Sequence, residues 1–166
     1  MKWGNEMSRI EDLVPPLEMC SKIPVGKFED SALVLIFWHK SPNTPVEIRT
    51  RCEVENDPEF DDLVEDQRII IYPAPTLAEI LEALPTRIVY AKMPFYLFLL
   101  DTRNKPLGDW QIGYAHEAFY GLAVAEERRE RDKNPPTAAL RLWLKLYQLS
   151  RNATTTPKGG AESCPE

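Results

Sequence analysis

Eight acidic side chains fall within the fourteen positions from Glu53 to Asp66, EVENDPEFDDLVED. Clustered carboxylates are the ligand type of a hard cation such as calcium or magnesium. They are also the general acids and bases of hydrolysis, provided two of them face each other across a cleft. The spacing argues against a calcium loop. The D-x-[DN]-x-[DN]-G arrangement with its turn glycine and distal glutamate is missing, and Pro58 interrupts the run, so a solvated loop or short acidic helix is expected. A small metal-dependent hydrolase or nuclease using the acids near 53–66 would recruit His39 or His116. His116 and Glu117 open like a zinc-protease helix, but Tyr120 stands where the second histidine ligand belongs.

Other chemistries are less well provided for. There is no G-x-S-x-G turn, and neither histidine has a sequence relation to a serine or cysteine nucleophile. The seven glycines are scattered, whereas a phosphate-cradling loop needs them clustered for close backbone approach. Cys20, Cys52 and Cys164 are an odd set without a CxxC, which points to reduced thiols, not a disulfide framework or a zinc site. Arg128, Arg129 and Arg131 form a basic cluster that Glu126, Glu127, Glu130 and Asp132 neutralise. With a net charge of −6, no nucleic-acid partner is expected. No cofactor, metal or catalytic residue is assigned, and the chain reads as non-enzymatic.

The elements that would position any site are well marked. The 166 residues, 43% apolar, suffice for one core. The division expected is a flexible N-terminus over 1–12, a single α+β domain over 13–150 and a disordered tail over 151–166. No run of about 18 apolar residues occurs, and acids stand where a signal peptide needs an apolar stretch, so a cytoplasmic chain without membrane contact is expected. Pro15 and Pro16 lead a short helix within Leu13 to Ile23. Ser31 to Lys40, SALVLIFWHK, suits a strand buried partly on both faces. A loop over Ser41 to Pro45 follows. Val46 to Val54 alternates with period two and reads as a half-buried strand.

A third strand is expected at Ile69 to Ile71, ended by Pro73 and Pro75. Thr76 and Glu79 match a capping box, so a helix should run to Leu84 before Pro85. Arg87 to Met93, Phe95 to Asp101 and Asp109 to Ala115 read as an antiparallel meander, with a turn over Thr102 to Gly108. Trp110, Ile112 and Tyr114 share one face of its last strand. Ala118 to Glu126 is consistent with either helix or strand, with a lean to strand. The closing helix is Asn134 to Leu149, NPPTAALRLWLKLYQL, with Asn134 as N-cap and one narrow polar stripe of Arg141, Lys145 and Gln148. Its apolar arc is too wide for a single neighbour. The fold expected is therefore α+β: an antiparallel or mixed sheet of five to six strands, this helix packed on one face and the shorter helix beside it. The arc left over would be closed by the N-terminal segment or by a second copy in a homodimer.

Aromatic side chains at strand spacing are core first. On a sheet covered on one face only, the other face exposes some of them as interface. Trp143, Tyr147 and Trp110 are the candidate interface residues. Two signatures, Tyr72 to Pro85 (YPAPTLAEILEALP) and Asn134 to Leu146 (NPPTAALRLWLKL), with Val14 to Ser31 upstream, resemble small uncharacterised proteins of prophage regions and gut bacterial genomes. In those, a YPAPTL helix start precedes strands and a closing NPATAALxLWLxL helix. Pro136 stands here where alanine is usual, which a first helical turn tolerates. The resemblance carries no site residues. Together with the missing catalytic constellations and the abundant apolar surface, it leads to the expectation of a phage-associated accessory protein that acts by protein-protein interaction; the alternative is the small metal-dependent hydrolase or nuclease using the acids near 53–66.

Overall fold

The computed structural model describes residues 12–39, 46–90, 92–102, 108–116 and 124–155. Most of the expected flexible N-terminus, the Ser41 to Pro45 loop, the centre of the Thr102 to Gly108 turn and most of the ambiguous 118–126 stretch lie outside these residues.

After Pro15 and Pro16 the chain makes the short helix α1 (Leu17–Cys20), then the strand β1 (Leu33–Trp38). β1 is the centre of a three-stranded antiparallel sheet, flanked by β2 (Glu47–Thr50) and β3 (Ile69–Pro73). Its apolar run is buried on both faces. Val34 and Ile36 meet Val54, Ile69, Phe60 and Leu63, whereas Leu35 turns the other way to Val14, Cys20 and Ala74.

The expected strand from Val46 to Val54 is corrected: only Glu47–Thr50 is extended, and the chain then turns into helix α2 (Arg51–Glu55). Thr50 Oγ1 accepts from Glu53 N at 3.3 Å while Thr50 N donates to Glu53 Oε2 at 3.0 Å. This capping box satisfies two otherwise orphaned donors, and that local gain outweighs the period-two alternation. Helix α3 (Pro58–Glu65) follows, with Asp57 Oδ1 accepting from Glu59 N and Pro58 in its first turn. The acidic run is thus helical.

Beyond β3 comes helix α4 (Leu77–Ala83), begun by the expected capping box. Glu79 Oε2 accepts from Thr76 N at 2.6 Å, and its other oxygen, Oε1, accepts from Ala32 N at 2.8 Å, tying α4 to the residue before β1. A four-stranded antiparallel meander follows: β4 (Arg87–Tyr90), β5 (Met93–Asp101), β6 (Trp110–Ala115) and β7 (Val124–Asp132). Most of the charged run from Glu126 onward is therefore a strand. Alternation divides it, with Glu130 paired to Ile112 on one face and Arg131 paired to Gln111 on the other.

Helix α5 (Pro135–Thr155) closes the fold across β6 and β7, beside α4. Asn134 Oδ1 accepts from Thr137 N at 3.0 Å, the expected cap. The helix continues past its expected end at Leu149 into the stretch read as tail. Ile80, Ile112, Tyr114, Ala138, Ala139, Leu140 and Leu142 form the main core, all at 0% exposure. Burying each of the larger aliphatic side chains contributes roughly 1.5–3 kcal/mol.

The single sheet of five to six strands is also corrected: two antiparallel sheets hold three and four strands. Pro73 ends β3 and α4 intervenes, so the meander begins a new sheet instead of adding to the old edge. The arc of α5 is filled from within the chain, by the meander, α4 and Phe28, whose ring lies 4.9 Å from that of Trp143. Among the described side chains of α5, Leu149 is the large hydrophobic left exposed, at 44%.

Candidate functional site

Where the two sheets approach, a cleft of about 530 Å³ opens between the N-terminal segment, the three-stranded sheet and the start of α5. That volume lies within the usual range of small-ligand sites. One side is apolar. Val14, Pro15 and Leu17 lead into or belong to α1, Leu35 comes from β1, and Val46 and Ile48 come from the β2 edge. These residues are placed by alternation: Leu35 and Ile48 are register partners, so both point to the same face.

The other side is polar and internally bonded. Asp132, at the end of β7, receives Arg141 Nη1 on Oδ2 at 2.9 Å and Asn134 N on Oδ1 at 2.9 Å. Arg141 Nη1 also donates to Arg131 O at 3.4 Å. Asn134 Oδ1 takes both Thr137 N and Thr137 Oγ1, and its Nδ2 donates to Asp12 O and Val14 O. This side chain therefore caps α5 and also ties the N-terminal segment to it. Glu18, outside the cleft wall, is held below the ordinary carboxyl range by its hydrogen bond from Lys22, with Arg141 adding a weaker pull. Such a site can hold an amphipathic ligand, with apolar atoms against one wall and a charged end at Arg141.

A second surface is the face of the four-stranded sheet turned away from α5. Ile88, Phe95, Leu97, Ile112 and Tyr114 face the helices, so alternation puts Val89, Tyr96, Phe98 and Leu100 on the opposite side. Val89 is 71% exposed and Tyr96 37%. Arg87, Arg129 and Arg131 border this row. Among the described residues no helix is packed on it.

The other candidate residues are placed apart. Glu53 is engaged in its capping box, and the backbone hydrogen bond from Thr50 is the main cause that lowers its pKa. Asp57 caps α3, Glu55 pairs with Arg51 at 3.5 Å, and Asp61 and Asp62 are exposed. His39, just past β1, lies against Phe37, and His116, just past β6, lies against Phe95. Among the described residues no three His, Cys, Asp or Glu groups gather to hold a metal ion. Cys20 is buried, its thiol pushed up to about 12 by desolvation, and Cys52 is exposed; both are free.

Of the expected interface residues, Trp143 is 9% exposed, wedged between Phe28 and the stacked ring of Tyr147. Tyr147 is half-buried and carries Lys27 Nζ over its ring at 5.9 Å. Trp110 is half-buried at the start of β6, opposite Asp101 and Asp132. Trp143 and Tyr147 pack with the main core cluster, among whose residues Trp110 is not counted. The pairing of Asp132 with Arg141 is not legible in the sequence because they sit on different elements, and no local pattern pairs the end of a strand with the second turn of a helix. No helix among the described residues is long and apolar enough to cross a membrane. In comparisons with known proteins the chain matches no family model, no curated protein and no solved structure.

Proposed function

We propose that this protein works by binding another protein, as a phage- or prophage-associated accessory protein, without catalysing a reaction. One observation carries the binding reading: the outer face of the four-stranded sheet, where Val89 and Tyr96 are exposed beside half-buried Phe98 and Leu100, bordered by arginines. Tyrosine, phenylalanine and arginine are side chains enriched in protein interfaces, and exposed apolar surface gains free energy by being covered. The phage association is taken from the resemblance of the 72–85 and 134–146 stretches. A cytoplasmic setting belongs to the same proposal and is supported by the free thiols of Cys20 and Cys52.

The test is affinity capture from host lysate, before and after prophage induction, with the wild-type chain and a Val89→Asp/Tyr96→Ala variant in parallel. Both positions are exposed, so the variant keeps its thermal midpoint. A stoichiometric protein retained by the wild type and lost from the variant is the expected result. Equal retention by both, or no retained protein, overturns the reading.

A further inference from the structure

We propose that the cleft between the N-terminal segment, β2 and α5 is a binding site for an aliphatic carboxylate. The inference is independent of the protein-binding reading and rests on which polar groups of the cleft are already used. Asp132 has both oxygens occupied, by Arg141 Nη1 and Asn134 N, so it offers little to a cation. Asn134 and Thr137 satisfy each other. The start of α5 supplies no free donor either, because Pro135 and Pro136 have no N–H and Asn134 takes that of Thr137.

Arg141 is the exception. Nη1 makes its bonds to Asp132 and to Arg131 O, while Nε and Nη2 form no hydrogen bond among the described residues, and the side chain is 42% exposed. Asp132 thus pins one corner of the guanidinium and leaves the edge that matches a carboxylate in bidentate fashion. Glu18, a second carboxylate whose charge Arg141 influences, is already paired with Lys22 at 3.0 Å. An alkyl chain attached to the bound carboxylate would lie along Val14, Leu17, Leu35, Val46 and Ile48, and 530 Å³ accommodates a medium-length one. A free fatty acid and the C-terminal leucine of a peptide present this same chemistry.

The experiment is a titration of the full chain, followed by calorimetry and by the methyl resonances of Val14, Leu35 and Ile48. The probes are octanoate, 1-octanol, and a leucine-terminated peptide as free acid and as amide. Octanoate is expected to bind and shift those methyls, with octanol about tenfold weaker. Arg141→Gln should weaken octanoate about tenfold and leave octanol unchanged. Arg141→Lys, which keeps the charge beside Asp132 but not the bidentate edge, should also weaken octanoate. If the peptide acid outcompetes octanoate and its amide does not, the ligand is a chain end; if octanoate is the tighter, it is a free acid. Both outcomes support the assignment. Octanol binding as tightly as octanoate, octanoate affinity unchanged in Arg141→Gln, or no methyl shift at millimolar octanoate would each overturn it.

Discussion

Replacing Glu79 by alanine removes contacts of two different reaches, local ones to Thr76 and one distant bond. Oε2 closes the capping box at the start of α4, and Oε1 accepts from Ala32 N, 47 residues earlier in the chain. Loss of a cap costs about 1 kcal/mol. A hydrogen bond to a charged acceptor is worth about 1.5–3 kcal/mol when sheltered, but Ala32 is exposed and its N–H can turn to water, so about 1 kcal/mol is the fitting figure here. The sum, about 2 kcal/mol, corresponds to a fall of roughly 4–8 °C in Tm for a domain of this size. Glu53 closes an equivalent box at α2 without a long-range bond, so Glu53→Ala is the internal control and must cost less. Glu79→Gln, retaining one acceptor oxygen, should fall between wild type and Glu79→Ala. Urea and thermal unfolding measure the losses, and hydrogen exchange locates them: the Ala32 amide should lose protection in Glu79→Ala alone. A Glu79→Ala loss under about 0.5 kcal/mol, or one no larger than that of Glu53→Ala, would refute the reasoning. So would an unchanged Ala32 amide.

Two further outcomes are expected. At Gly113 an added Cβ would stand 2.7 Å from Arg128 O and 3.0 Å from Arg129 Cα, both backbone atoms of the neighbouring strand at an irregularity in its register. Gly113→Ala should therefore destabilise by about 1–3 kcal/mol, and an unchanged Tm would show that β7 yields freely. Tyr114 is fully buried, donates to Pro85 O at 2.6 Å, and its phenol is pushed up from 10 to about 12 by desolvation. Between pH 10 and 12 the unfolded chain has lost this proton and the folded chain keeps it, so stability is constant below pH 10 and falls as pH rises toward 12. Tyr114→Phe should remove that alkaline component of the stability profile; the same slope in both proteins would count against it.

Local features are legible in the order of residues alone. The boxes and caps at Thr76 and Asn134 act within one helical turn, so their residues are adjacent in sequence and their meaning does not depend on the rest of the fold. The polar stripe of α5 is likewise readable, since Arg141, Lys145 and Gln148 are all exposed as the helical period requires. The box at Thr50 and Glu53 carries the same T-x-x-E signal, yet alternation across Val46 to Val54 masks it; side-chain period and cap compete on one stretch, and the cap prevails.

Long-range pairing is not legible in this way. Two sheets exist because Pro73 and α4 separate β3 from the meander, while strand partners are chosen by packing between distant residues. The same holds for the cleft. Val14, Leu35, Ile48 and Arg141 meet only after both sheets and α5 have assembled. The run of arginines and acids before α5 has a mixed charge in sequence, but as the strand β7 it is sorted by the pleat. Glu130 and Asp132 face Lys145 and Arg141 of α5, while Arg129 and Arg131 face outward with Tyr96 and Phe98. By itself the sequence determined where helices begin and which residues are apolar, because those depend on near neighbours. Which surfaces remain open for a partner or a ligand was decided by the tertiary structure, because only packing sets which faces are covered.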